Sequence, residues 1–179
     1  MIRLLALPFV LAMMMVPVQL FAKAEASRIT IKGASLEAPI EITDERILAN
    51  FSVWTGPGTT SSDRQSPEPQ SFIVDWSQAS GGKPPKGMAQ YEVSFYAKLP
   101  AHAMSRKERL IYVVFYAYNP LTKRGYVYLP GKTEDWYQLN TSAIVHGVEG
   151  RWFRAWDAWD RVAAPLIEKA TSANSLVRR

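Results

Sequence analysis

Residues able to do chemistry are few in this chain of 179 amino acids. The absence of cysteine excludes a thiol nucleophile, a thiolate metal site, a disulfide framework and a lipobox. Two histidines, His102 and His146, could each serve as a general base, because imidazole titrates near neutrality. Neither belongs to an H-E-x-x-H, H-x-H or G-x-S-x-G pattern, and no carboxylates cluster beside them in sequence. No catalytic residue, metal ligand or cofactor is therefore assigned. Both histidines fall in segments that read as loops, where a surface imidazole is the ordinary expectation.

Other motifs are weaker than they first look. Gly131-Lys132-Thr133 follows Gly125 by five intervening residues, whereas a phosphate-binding loop needs four, and Tyr126-Val-Tyr-Leu129 reads as strand. Asp157 with Asp160, and Glu134 with Asp135, are carboxylate pairs of the kind that glycosidic cleavage places across a cleft. Trp136 and Tyr137 follow the second pair and give it some of the vocabulary of a sugar site, but an exposed turn before an inward-packing aromatic is the simpler reading. Thr59 to Asp63 sets hydroxyls beside an acid without a visible base. The N-glycosylation patterns at Asn50 and Asn140 match by three residues only.

The aromatic distribution is the most informative feature. All eight tyrosines fall between Tyr91 and Tyr137. In an extended Leu110–Tyr118 segment, Tyr112, Tyr116 and Tyr118 share one face with Val114, while Ile111, Val113, Phe115 and Ala117 share the other. A tyrosine-lined sheet face could stack sugars or grip a peptide, since each ring has an apolar body and a polar tip. Tyr112, Tyr116, Tyr118, Trp136 and Tyr137 are accordingly the candidate ligand-binding residues. The competing reading is that tyrosine simply favours strands and that the C-terminal tryptophans cover this face.

The elements that would position these residues follow from periodicity. Alternation of apolar and polar residues marks strands at 28–32, 39–43, 72–76 and 91–98. The uninterrupted apolar run 110–118 suits a central strand covered on both faces, and 125–129 returns antiparallel after a short turn. Thr43 or Asp44 can cap a helix of about two turns. A C-terminal helix is expected from near Gly150, with Trp152, Trp156, Trp159, Ala163 and Leu166 on its inner face and Asp157 paired with Arg161. Pro165 conflicts with an uninterrupted helix, so either it kinks there or Trp152–Trp156 is a strand and the helix begins at Asp157 or later. The sum is a single α+β domain over 27–170, in which an antiparallel sheet of about five or six strands is packed by a C-terminal helix. A β-sandwich is the alternative if the tryptophan segment is extended.

Met1–Arg3, the apolar run Leu4–Phe21 and small residues at Ala22, Ala24 and Ala26 follow the grammar of a secretory signal, with cleavage expected after Ala24 or Ala26. The segment 171–179 reads as a flexible tail. Past the leader the excess of basic residues is mild and dispersed, which argues against a nucleic-acid partner. These features point to an exported protein, periplasmic or extracellular, without a membrane span after cleavage. The expected role is non-enzymatic, binding a glycan, a peptide or an envelope protein. A small envelope hydrolase and a scaffolding subunit are the alternatives.

Overall fold

The computed structural model describes residues 26–34, 36–59, 72–81, 87–98 and 108–177. The leader, His102 and most of the 55–70 segment lie outside the described residues. The fold is α+β: one antiparallel sheet of seven strands with three helices. The strands are β1 (Ala26–Lys32), β2 (Ile40–Ile42), β3 (Val74–Gly81), β4 (Ala89–Lys98), β5 (Glu108–Asn119), β6 (Arg124–Leu129) and β7 (Arg151–Ala155). Their order across the sheet is β2-β1-β4-β5-β6-β7-β3, which puts the apolar run of β5 at the centre.

Alternation sets which side chains face inward. Ile29 and Ile31 of β1, Val93 and Phe95 of β4, and Tyr112, Val114 and Tyr116 of β5 are fully buried on one face. Pairing of Phe115 with Tyr128 and of Tyr116 with Val127 fixes the β5–β6 register. Because side chains alternate with period two, Tyr126 and Tyr128 lie on the opposite face from the Tyr112–Tyr116–Tyr118 row. The row Phe115–Tyr128–Trp152 instead runs side by side across three strands of that opposite face.

Two expectations change at the C-terminal end. Trp152 lies within strand β7, and α3 (Asp157–Val177) begins only after it, so the helix does not start near Gly150. The extended tryptophan segment nonetheless makes no sandwich, because β7 hydrogen-bonds between β6 and β3 and adds the seventh strand to the same sheet. The helix carries Trp159, Ala163 and Ile167 on its buried side, four residues apart, so each lies about one turn beyond the last. Pro165 is exposed, and the helix continues through it to Val177. Asp157 pairs with Arg154 of β7 at 2.9 Å, not with Arg161.

Helix α1 (Glu45–Leu48) is a single turn, shorter than expected, capped by the Asp44 carboxylate on the Arg46 N–H at 2.8 Å. Together α1, Phe51, Val53, Phe72 and α3 cover the inner face of the sheet. Helix α2 (Tyr137–Ala143) has no counterpart among the elements expected from periodicity, and it closes an open edge. Strand β6 pairs β5 only from Phe115 onward, leaving the earlier backbone of β5 without a strand on that side. The buried Asn140 amide takes that place: its Oδ1 accepts from the Val113 N–H at 2.8 Å and its Nδ2 donates to the Val113 carbonyl at 2.7 Å. One side-chain amide thus mimics a paired peptide, and Asn140 is closed to glycosylation. Asn140→Ala strands both backbone groups in the interior, with an expected loss of about 2–4 kcal/mol. A urea titration compared with Asn140→Gln checks this, and wild-type stability in the alanine variant would contradict it.

Candidate ligand cleft

The five candidate ligand residues do not form one site. Tyr112 and Tyr116 are fully buried and Tyr118 is nearly so, beneath α3 and the Phe72 region. Tyr112 meets Phe72 edge-on at 5.6 Å between ring centres, and Tyr116 meets Trp159 likewise at 6.0 Å. These rings form the core between sheet and helix, and none offers an open face for stacking a sugar. Trp136 and Tyr137 are half-buried at the start of α2, on the far side of a turn in which Glu134 accepts from the Gly131 N–H at 2.6 Å and the Tyr128 hydroxyl at 2.8 Å. That bonding makes the Gly131-Lys132-Thr133 segment a structural turn. Burial, and secondarily Glu134, pushes the Tyr128 phenol up to about 12.

The hydroxyls of Tyr116 and Tyr118 lead to a different place, whereas that of Tyr112 is buried without a hydrogen-bond partner among the described residues. An open polar cleft of about 730 Å³ lies between the β5–β6 turn and the first half of α3. Its floor is built around Asp160, in the first turn of α3, where the helix dipole favours an acid. Asp160 Oδ1 accepts from the Tyr116 hydroxyl at 2.7 Å, while Oδ2 accepts from the Gly125 N–H at 3.0 Å and from Arg154 at 2.6 Å. Arg154 also donates to the Gly125 carbonyl at 2.6 Å. Gly125 is required here by space: a Cβ would stand 2.2 Å from Asp160 Oδ1 and 2.3 Å from the Tyr116 ring. Burial, reinforced by the Asp160 charge, holds the Tyr116 phenol far above its usual range, so it stays a donor.

The wall nearer the end of β5 repeats the pattern at the surface. Glu168 accepts from Lys123 at 2.6 Å and from the Tyr118 hydroxyl at 3.2 Å. Its carboxyl is held below the usual range by the Lys123 hydrogen bond, and the Tyr118 phenol is raised by burial and by Glu168. All three carboxylates of the cleft, Asp157, Asp160 and Glu168, are thus engaged by cations of this chain. Arg124 and Arg161 also line the cleft, are exposed, and form no ion pair with any described residue. The pairing of Asp157 and Asp160 through one guanidinium could not be read from the sequence, because Arg154 belongs to the preceding strand.

His146 proves to be buried, at 2% exposure, which corrects the expectation of a surface histidine. It lies in the α2–β7 connection against Phe72, Trp76 and Tyr112. Its Nδ1 is 2.8 Å from the Pro57 carbonyl, an acceptor, so Nδ1 carries the proton and the neutral ring leaves Nε2 as an unpaired acceptor among the described residues. Among the described residues the ring bonds neither a carboxylate nor a serine, the arrangement that nucleophilic catalysis would need. Gly58 makes this closure possible, since a side chain there would run into the Val145 carbonyl. Burial lowers the imidazole below its ordinary value of 6.5, opposed by the Pro57 carbonyl and Glu149. With the folded value depressed, the unfolded chain takes up a proton first as pH falls below 6.5. Stability from this site is complete above 6.5 and is lost toward the folded value, with a slope of up to about 1.4 kcal/mol per pH unit. Denaturant midpoints between pH 7 and 5 are expected to fall more steeply for the wild type than for His146→Gln, and parallel curves would contradict the assignment.

The described residues hold no group of three or more His, Cys, Asp or Glu that could bind a metal, and none of their helices is long and apolar enough to cross a membrane. The chain has no significant match among protein-family models, curated proteins or solved structures.

Proposed function

We propose that the protein is an exported binding domain of the bacterial cell envelope or extracellular space, which holds a ligand in the cleft beside α3 without converting it. The observation that carries this reading is the internal bonding of the cleft. Its acids are already committed, Asp160 to three donors and Glu168 to two, so they stiffen the walls and are not poised to move protons. Preformed walls reduce the ordering cost of binding, which favours a seat for a ligand. The leader pattern supports export, and a glycan, a peptide or an envelope protein are the partners such an address offers.

The test is to titrate the isotope-labelled protein with soluble muropeptides, which present both glycan and peptide, while mass spectrometry follows the added compounds. Saturable shifts of the Tyr118, Gly125 and Arg161 amides with no new product are expected. Turnover that disappears in Asp160→Asn would overturn the binding role in favour of the hydrolase. Binding that maps only to the Phe115–Tyr128 face would remove the cleft from the account.

A further inference from the structure

The geometry points to an organic anion as the ligand of this cleft: a carboxylate or phosphate monoester carried next to an apolar group, its charge held by Arg124 and Arg161. This deepens the binding reading and rests on it. The first ground is charge. Lys123 and Arg154 are used in holding the three cleft carboxylates, whereas Arg124 and Arg161 lack a described ion-pair partner. Counted over its lining, the cleft carries four cations, Lys123, Arg124, Arg154 and Arg161, against three carboxylates, a net charge of +1, with Arg124 at the start of β6 and Arg161 on α3 outside any ion pair with a described residue. Guanidinium groups match the planar oxygens of carboxylate and phosphate with paired hydrogen bonds, and bonds to an ionised acceptor are roughly twice as strong as neutral ones.

The second ground is the neighbouring surface. Beyond the Tyr118–Glu168–Lys123 bridge lies a smaller hollow of about 350 Å³, shared with the cleft through Tyr118 and Glu168. Its lining includes Tyr91, Pro120, Leu121 and Ile167, which is apolar in character. Leu121, at the tip of the β5–β6 turn, is 92% exposed, the most exposed large apolar side chain among the described residues. A ligand lying across the bridge would place its anion at the arginines and its apolar group against Leu121. Neutral glycans carry no charge for the two arginines.

Phenyl phosphate is the probe, with inorganic phosphate and neutral chitotetraose as comparisons, in an amide chemical-shift titration of the mature protein at low salt. Phenyl phosphate is expected to saturate shifts at Lys123, Arg161 and Leu121 and to bind about fivefold or more tighter than inorganic phosphate. Removing both arginines in Arg124→Gln/Arg161→Gln should weaken it by about tenfold or more, while thermal unfolding stays at the wild-type temperature because both side chains are exposed. Leu121→Ser should erase the preference over inorganic phosphate and leave the affinity for inorganic phosphate itself unchanged. Undiminished phenyl phosphate binding by the double arginine variant overturns the proposal, as does binding that shifts amides elsewhere. If chitotetraose fills the cleft and phenyl phosphate does not, the anion is wrong and the binding role survives. If neither probe nor muropeptides shift the cleft, both readings fail together.

Discussion

Trp159→Ala is expected to lower the stability of the fold by about 3–5 kcal/mol. The indole is fully buried, edge-on to Phe51 at 5.2 Å and to Tyr116 at 6.0 Å, so it joins the helix to both the sheet and the segment following α1. Its removal takes apolar surface out of contact with both Phe51 and Tyr116, and Ala163 one turn later is too small to fill the space. Trp156, which also reads as a core residue from its helical spacing, is only half-buried, with its backbone N–H bonded to the Ile73 carbonyl at 3.0 Å. Trp156→Ala should therefore cost clearly less than Trp159→Ala. Urea unfolding of the two variants side by side checks the order, and a reversed order would place the helix anchor one residue group too late.

Asp160→Ala should cost about 3–5 kcal/mol for a different reason, the breaking of a buried ion pair. The side chains of Asp160 and Arg154 are 8% and 14% exposed, and the guanidinium would lose its short contact while the Tyr116 hydroxyl and the Gly125 N–H lose their acceptor. The expense lies in the donors left behind more than in the worth of the pair. A double variant, Arg154→Met/Asp160→Leu, removes the charge from both sides and should recover part of the loss. Equal destabilisation in the single and double variants would show that packing, not charge, governs the site. Because Asp160 also forms the cleft floor, the single variant should lose the ligand-induced shifts of Gly125 even under conditions where it remains folded.

How far the sequence reveals this arrangement depends on the range of the interactions involved. The alternation in 28–32, 39–43 and 91–98 and the apolar run at 110–118 correspond to β1, β2, β4 and β5, because a strand's faces are written locally in its own residues. The Trp152–Trp156 segment was open to two readings, since tryptophans at positions 152, 156 and 159 fit a helix whether or not they form one. What decides for a strand is the edge of β6, which offers hydrogen bonds to Arg151–Arg154 that a helix could not use. The buried state of His146 has no local signature either. Its neighbours Val145, Gly147 and Glu149 look like loop, and burial comes from Pro57 and Phe72, more than seventy residues away in the chain.

The candidate site shows the same division. The residue types of the cleft, including the acids at Asp157 and Asp160 and the tyrosines at even positions of β5, are plain in the linear chain, as are the α+β class and the apolar character of residues 4–21. The tertiary structure decided that the rings of Tyr112, Tyr116 and Tyr118 are core and that only the hydroxyls of Tyr116 and Tyr118 reach the cleft acids. It also decided that Arg154 bridges two aspartates while Arg124 and Arg161 form no ion pair with any described residue. The physical reason is that alternation assigns a side chain to a face, but what covers that face, and which charges meet above it, depends on strand order and on the path of the chain after β7.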